Sequence, residues 1–129
     1  MAHFVVEYTD NLGSDARIPE LLTKVNRVLM AQDGVFPPGG IRSRAIRLTE
    51  YAIADEAADY AFVHCRLSIG SGRSEEIRQR AGDQLFAMIK DHFAEPFARR
   101  PLALSLELEE FGEPGTWKHN NLHARFKRP

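Results

Sequence analysis

The feature that most constrains the fold is the order strand, helix, strand, which the hydrophobic pattern shows twice. Residues 3–8 alternate as in a strand, with Phe4, Val6 and Tyr8 on one side. An apolar stripe at helical spacing follows, and residues 41–51 resume as a strand. A period of two and a period of 3.6 need different backbones, so the first half predicts one βαβ unit.

The second half repeats this order. Residues 61–69 alternate as a strand, and Ser74 is a good N-cap for the helix that follows. We expect Pro96 to end that helix. The last strand has a strict period of two, carried by Leu102, Leu104, Leu106 and Leu108.

Two βαβ units side by side predict an α+β fold, with a four-stranded sheet and both helices on one face, since such crossovers are nearly always right-handed. We expect a single domain over residues 1–129, with a structural pseudo-repeat of 1–56 and 57–129. Phe4 and Phe62 are expected on the helix-free face. Because that face is too apolar to be fully exposed to solvent, a partner subunit should cover part of it.

Charge and cysteine content narrow the classes of function. The 129 residues carry 17 basic and 18 acidic side chains, which gives a net charge of -1. The overall charge of the protein therefore does not favour binding to nucleic acid or to a membrane surface. The single Cys65 fits a reducing compartment. Neither a signal peptide nor an apolar run of the roughly 20 residues that a membrane span needs is visible. The expected location is the cytoplasm.

Arg42 and Arg44 stand two apart on a predicted strand, so their side chains point to the same face. One interpretation is a clamp for a substrate carboxylate, because a guanidinium group pairs with a carboxylate in a two-pronged geometry. The alternative is a surface ladder of ion pairs with Glu107 or Glu109 on a neighbouring strand.

Residues 70–74, Gly-Ser-Gly-Arg-Ser, lie at a strand-to-helix junction, where free N–H groups and the helix dipole favour an anion. The run is not a dinucleotide fingerprint, since Glu75 replaces the third glycine, and no Lys-Ser/Thr pair of a P-loop follows. Arg73 is either a contact for a carboxylate or a surface arginine in a tight turn.

The histidines do not predict a metal site. His119 and His123 are four apart, but the two asparagines between them argue against a helix and no further ligand type accompanies them, which favours a structural or surface role. His64 and Cys65 are adjacent on a strand, so they face opposite ways and cannot form a dyad. His3 is close to the N-terminus and is a candidate for tuning an amine there.

Five stretches carry a resemblance to a known family. They are MAHFVVEYTDN at the start, Gly40-Ile41-Arg42-Ser43-Arg44, Asp59-Tyr60-Ala61-Phe62-Val63-His64, Gly70-Ser71-Gly72-Arg73-Ser74, and Lys118-His119-Asn120-Asn121-Leu122-His123. With them the chain resembles the 5-carboxymethyl-2-hydroxymuconate delta-isomerases of the tautomerase superfamily over essentially its whole length. In that family the initiator methionine is removed and an N-terminal proline amine transfers the proton. Here Ala2 stands at the position of that base.

The resemblance implies a tautomerase-like domain that acts on a di- or tricarboxylate without a cofactor. The family converts 5-carboxymethyl-2-hydroxymuconate to its 2-oxo isomer in homoprotocatechuate breakdown. It further implies that Arg42 and Arg73, and more weakly Arg44, contact substrate carboxylates. A homotrimer is implied as well, with the C-terminal tail 112–129 at the subunit interface. An α-amine ordinarily titrates at about 7.7–8.0, and nearby arginines would lower its pKa, so Ala2 is a candidate base.

Two alternatives remain open on the sequence. One is a non-catalytic anion-binding trimer that has lost the proline base. The other is a structural trimer or nucleic-acid binder that uses its basic tail, although no aromatic platform accompanies the charges. The basic residues of that tail are Lys118, Arg125, Lys127 and Arg128.

Overall fold

The computed structural model describes residues 1–126, so Lys127 and Arg128 of the predicted basic tail lie outside the described residues. Its helices and strands follow the predicted order, with one further helix before the last strand. They are β1 (Ala2–Thr9), α1 (Ile18–Met30), β2 (Ile41–Leu48), β3 (Ala61–Gly70), α2 (Glu75–His92), α3 (Ala94–Arg99) and β4 (Leu102–Phe111). Short 3-10 helices span Asp10–Ala16, Pro38–Gly40 and His123–Phe126. None of these helices has the length and apolar character needed to cross a membrane.

The four strands form one sheet in the order β2-β1-β3-β4. β1 is parallel to β2 and β3 is parallel to β4, while β1 and β3 pair antiparallel at the centre. This is the arrangement that two βαβ units produce, and it confirms the predicted α+β fold. β1 therefore has a strand on either side from Ala2 to Tyr8, and its first residue, Ala2, pairs with Ile41 and Ile69.

One face of the sheet packs against the helices and forms the core. β1 contributes Phe4, which is 0 % exposed, and β3 contributes Leu67 directly opposite it. Our placement of Phe4 on the helix-free face was therefore wrong. Alternation separates two faces but does not say which one is inward, and Phe4 belongs to the inward set. Phe62 has the opposite parity from Leu67 and lies half-buried on the helix-free face.

Local signals placed the start of α2 correctly but not its end. The Ser74 hydroxyl accepts the backbone N–H of Ile77 at 3.2 Å, which confirms the predicted N-cap of α2. Pro96 does not end that helix. α2 ends at His92, and Pro96 lies in the first turn of α3, where a missing N–H leaves no hydrogen bond unmade. β2 also ends earlier than predicted, at Leu48.

His92 at the end of α2 is a buried polar group with its hydrogen bonds satisfied. Its ring Nε2 donates to the carbonyl oxygen of Ala16 at 2.9 Å, and Lys24 Nζ donates to Nδ1 at 3.1 Å. Arg17 donates to its backbone carbonyl. Burial, with the positive charges of Arg17 and Lys24 adding to it, lowers the pKa of His92 below its ordinary value. The folded protein therefore holds a neutral imidazole.

We expect this histidine to make the fold acid-sensitive. Below about pH 6.5 an unfolded histidine takes up a proton that the folded His92 resists, so the free energy of unfolding should fall as the pH falls. Denaturant titrations between pH 7.5 and 5 should show a smaller fall in His92→Gln, whose amide can keep both hydrogen bonds. The exposed His119→Gln serves as the control and should keep the parent slope. Equal slopes in the parent and His92→Gln would contradict this role.

Candidate functional site

The N-terminus lies at one end of the sheet, between the start of β2 and the end of β3. The Gly70 N–H donates to the Met1 carbonyl oxygen at 3.4 Å. On the other side, a methyl group built on Gly40 would stand 3.1 Å from Met1 Cα, so these backbones are in close contact. Ala2 is 1 % exposed and its side chain lies in the core. In this structure the free amine belongs to Met1 and lies at that end of the sheet.

Two cavities meet at this terminus. The first, of about 580 Å³, contains Met1, His3 and Arg42, and the second, of about 470 Å³, contains Met1 and Arg73. The residues that line both cavities are Met1, Phe111, Thr116 and Lys118. Met1 and Lys118 thus lie at the boundary between the cavity that Arg42 lines and the cavity that Arg73 lines.

A separate cavity of about 630 Å³ lies between α2 and β4. Its charged residues include Arg78 and Glu110, which form an ion pair with each other. Because that pair is internally neutralised, this cavity lacks the concentration of positive charge found around the N-terminus.

The positive groups around the terminus act on the amine. Burial is the largest cause that lowers the pKa of the Met1 α-amino group, and the charges of Arg73, Lys118 and Arg42 follow in that order. Each of these effects disfavours the ammonium form. An amine in this place is a free base at a lower pH than an ordinary terminus.

Arg42 is the second residue of β2 and pairs in register with His3 of β1. Its Nη1 atom is buried and has no hydrogen-bond partner within residues 1–126. A buried guanidinium nitrogen without a partner is uncommon, because the desolvation of a charged donor is costly. The arrangement suits an acceptor that arrives from outside the chain, such as a carboxylate oxygen.

Arg73 lies between β3 and the N-cap of α2, and its guanidinium group is fixed by the backbone. Nε and Nη2 donate to the carbonyl oxygen of Val35 at 3.3 and 2.8 Å, and Nη1 donates to that of Gly70 at 2.9 Å. The group also lies 4.8 Å from the ring centre of Phe36. These contacts use three of the five N–H bonds, which leaves two to meet an anion.

Arg44 lies outside both cavities. It is exposed, and its Nη1 donates to His3 Nδ1 at 3.2 Å, so it reaches the site through that histidine. Burial, then Arg44, Arg42 and the terminal amine, lower the pKa of His3. The alternative of an ion-pair ladder from Arg42 and Arg44 to β4 is wrong, because β2 and β4 are opposite edges of the sheet.

Two acidic side chains of β4, Glu107 and Glu109, instead face β3. Arg66 approaches Glu109 at 3.8 Å, and Glu107 lies 3.9 Å from His64. His64 and Cys65 point to opposite faces as expected: His64 shares a hydrogen bond of 2.6 Å with Ser105, whereas burial raises the pKa of the Cys65 thiol to about 12. Across residues 1–126, no three His, Cys, Asp or Glu side chains converge as a metal site requires.

The C-terminal segment 116–126 completes the first cavity, and its contribution was not predicted from the sequence. Asn120 Nδ2 donates to the carbonyl oxygen of Gly39 at 3.1 Å, which fixes the segment against the turn before β2. Lys118, His119 and His123 line the cavity beside it. These residues belong to one of the stretches that carried the family resemblance, yet no periodicity relates residue 118 to residue 1. Only the folded chain brings the two together.

A substitution at Gly39 should release this segment. A Cβ at Gly39 would lie 2.7 Å from both the Cα and the backbone nitrogen of His123, and a backbone cannot rotate out of the way as a side chain can. We expect Gly39→Ala to displace the segment and to speed tryptic cleavage after Lys118. The control is Gly82→Ala in α2, where a Cβ meets nothing within 4 Å and should stabilise the helix by up to about 1 kcal/mol. Cleavage of Gly39→Ala at the parent rate would show that the segment does not rest there.

Comparison with known proteins agrees with the geometry. Residues 2–126 match the family of 5-carboxymethyl-2-hydroxymuconate isomerases. The 5-carboxymethyl-2-hydroxymuconate Delta-isomerase of Escherichia coli is 50% identical over 127 residues, which are 98% of this chain and 100% of that protein. A crystal structure of a 5-carboxymethyl-2-hydroxymuconate isomerase from Deinococcus radiodurans R1 is 58% identical, with a TM-score of 0.94 over 98% of this chain and 95% of that one.

More distant structures share the fold alone. One is a fused 4-OT protein solved as a symmetric trimer, 13% identical with a TM-score of 0.63 over 91% of this chain and 93% of that chain. The whole-length matches above are much stronger, and they cover every strand of the sheet. The chain belongs to the 5-carboxymethyl-2-hydroxymuconate isomerase family, and with it to the isomerases of the tautomerase superfamily.

Proposed function

We propose that the chain converts 5-carboxymethyl-2-hydroxymuconate to its 2-oxo isomer, and that its N-terminal amine transfers the proton. The observation that carries the proposal is the position of the chain's N-terminus, which lies where two cavities meet, with the charges of Arg73, Lys118 and Arg42 acting on the Met1 amine there. The same cations would act on the amine of Ala2 once Met1 is removed and would attract a polycarboxylate, so one arrangement serves both the base and the substrate.

The reaction moves one proton and shifts two double bonds. The O–H bond at C2 of the substrate breaks, the C2 oxygen becomes a carbonyl, and a C–H bond forms at C5. An amine that is neutral near pH 7 can accept the first proton and deliver it to C5, so no net proton is consumed. The negative charge that develops on the dienolate between these steps would be stabilised by the surrounding cations.

Each candidate residue has a role in this proposal. Arg42 would hold a carboxylate with its unpartnered Nη1, and Arg73 would hold another with its two free N–H bonds. Arg44 would act through its hydrogen bond to His3. Ala2 would supply the amine once Met1 is removed, since one residue of extra chain displaces the amine by up to about 3.5 Å, too far for proton transfer to the same carbon.

Two measurements on the same sample test the proposal. The mass of the intact chain shows whether the amine belongs to Met1 or to Ala2, and the ultraviolet absorbance of the hydroxydiene follows its conversion to the oxo form. We expect conversion by the chain that begins at Ala2 and a much slower reaction when Met1 is retained. If the processed chain binds the substrate and leaves it unchanged, the protein is an anion-binding relative without isomerase activity.

We also propose a homotrimer, in the cytoplasm, with the tail 112–129 at the subunit interface of a domain that spans 1–129. The apolar side chains of the C-terminal segment support it, because Trp117 is 89 % exposed and Leu122 and Phe126 are about half exposed in the single chain. Apolar side chains on the helix-free face of the sheet, Val5 and Phe62 among them, also remain partly exposed in the single chain. A protein of the same fold is a symmetric trimer. The chain's only cysteine suits a reducing compartment.

Removal of residues 117–129 should weaken this assembly. Sedimentation of the full chain at micromolar concentration should show a trimer, and the shortened chain should dissociate at higher concentrations than the parent. Phe97→Ser provides the control, because Phe97 is 58 % exposed on α3 and lies away from the tail, so its loss should leave the trimer intact. A monomeric parent at micromolar concentration would rule out the proposed assembly.

A further inference from the structure

Lys118 holds a position that neither arginine of the site shares. Arg42 lines only the cavity of about 580 Å³ and Arg73 only the cavity of about 470 Å³, whereas Lys118 lines both. Met1, which precedes the proposed base Ala2, is on the same shared wall. Lys118 is exposed, and it makes no salt bridge within residues 1–126. Its ammonium group is thus free to meet an anion beside the N-terminus, where the proposed function places the reacting amine.

The proposed substrate has three carboxylates that are unevenly placed. Muconate is a six-carbon chain with a carboxylate at each end, and the carboxymethyl arm adds a third at C5. Two of the three carboxylates therefore branch from C5, the carbon that receives the proton. Because C5 must lie against the amine, one of its two carboxylates has to lie beside the amine as well. The cation on that same wall is Lys118.

We infer that Lys118 binds the carboxylate of the carboxymethyl arm and so selects a three-carboxylate substrate over the two-carboxylate muconate that lacks the arm. The inference rests on the proposed function for the orientation of the substrate. It leaves Arg42 and Arg73 to the two carboxylates of the six-carbon chain. An ammonium group suits this task, since a single charge on a flexible stem can follow a flexible arm, whereas a planar guanidinium group favours a fixed two-pronged geometry.

Lys118 also acts on the pKa of the terminal amine, and this second effect changes the kinetics in a different way from binding of the arm. Its charge also disfavours protonation of the amine, and that influence is the same for every substrate. Binding of the arm affects only substrates that have the arm. The ratio of kcat/KM for the three-carboxylate substrate to that for the two-carboxylate substrate therefore isolates the binding role.

The experiment compares 5-carboxymethyl-2-hydroxymuconate with 2-hydroxymuconate in three variants. Lys118→Met should lower the ratio of kcat/KM values by roughly tenfold, mainly through KM, because a charge-assisted contact is lost for one substrate alone. Lys118→Arg should recover most of the ratio. Lys90→Met, a change on α2 away from both cavities, should leave it as in the parent. An equal loss on both substrates, or no loss on either, would overturn the inference.

Calorimetry with two unreactive acids separates this inference from the proposed function. Hexanedioate and its 2-carboxymethyl derivative have the same chain, and only the second has the arm. The parent should bind the derivative more tightly, and Lys118→Met should remove most of that preference, whether or not the parent isomerises anything. A preference that persists in Lys118→Met refutes the role of Lys118, whereas failure of the parent to convert either substrate refutes only the isomerase proposal.

Discussion

Replacement of Ala2 by proline, in a chain that begins at residue 2, should raise kcat/KM for the hydroxymuconate substrate by roughly ten- to a thousandfold. The pyrrolidine ring fixes the direction of the amine, while the amine of alanine rotates about its bond to Cα. A proline inside the central strand β1 would lose a ladder hydrogen bond, but at the terminus its nitrogen is the free amine and no such bond is lost. The gain should therefore appear without a cost to the sheet.

The controls for this variant are a smaller residue and the pH profile. Ala2→Gly frees the amine further and should lower kcat/KM or leave it unchanged. In the parent, kcat/KM should rise with pH through a midpoint below the roughly 7.7–8.0 of an ordinary α-amine, because burial and the charges of Arg73, Lys118 and Arg42 already lower the pKa of the Met1 amine, one residue before the amine of Ala2. Should the proline variant fold and assemble normally but remain as slow as the parent, the orientation of the amine is not what limits the reaction.

Arg42→Ala should weaken the binding of a dicarboxylate substrate analogue by roughly ten- to a hundredfold. The buried Nη1 has no partner within the part of the chain that the structure describes, so we assign its hydrogen bond to the ligand. A hydrogen bond to a charged group is worth about 1.5–3 kcal/mol, and each 1.4 kcal/mol is a factor of ten in affinity. Calorimetry measures the difference directly.

Three further arginine variants show whether this loss is specific. Arg73→Ala should weaken binding by a similar factor but also loosen the turn at Val35, whose carbonyl oxygen it holds. Arg44→Ala should have a smaller effect, since it reaches the site only through His3. Arg47→Ala, an exposed change further along β2, should have none. Equal losses from Arg42→Ala and Arg47→Ala would indicate a general effect of charge instead of a defined contact.

The order of strands and helices was predictable because each hydrophobic period is a local property of the chain. The leucines of β4 and the Ser74 cap act within a few residues, and the structure places them as expected. Which face of the sheet packs against the helices is not determined by the local sequence of a strand. Phe4 was misplaced for that reason, since its burial depends on where α1 and α2 cross the sheet. Pro96 was misjudged because proline suits both the end of one helix and the start of the next.

The site was predictable only in part. Arg42 and Arg73 were found by their positions on a strand and at a helix start, and the family resemblance favoured them over other surface arginines. That Arg42 belongs with the amine follows from the register that pairs it with His3, which no single strand reveals. Lys118 could not be placed at all, because it lies 117 positions from Met1 and reaches it only through the fold of the C-terminal segment. A contact of that range leaves no periodic trace in the sequence.

The central position of β1 has a practical consequence for work with this protein. Its first residue has β2 on one side and β3 on the other, and Met1 contacts Gly40 and Gly70. An affinity tag fused upstream would continue from Met1, which lines both cavities, and a peptide nitrogen would replace the basic amine. In recombinant protein with an uncleaved upstream tag, or with residues left after its removal, the terminal amine would be blocked. Its measured activity would be that of the blocked form. Activity measurements need protein that carries no residues upstream of residue 1.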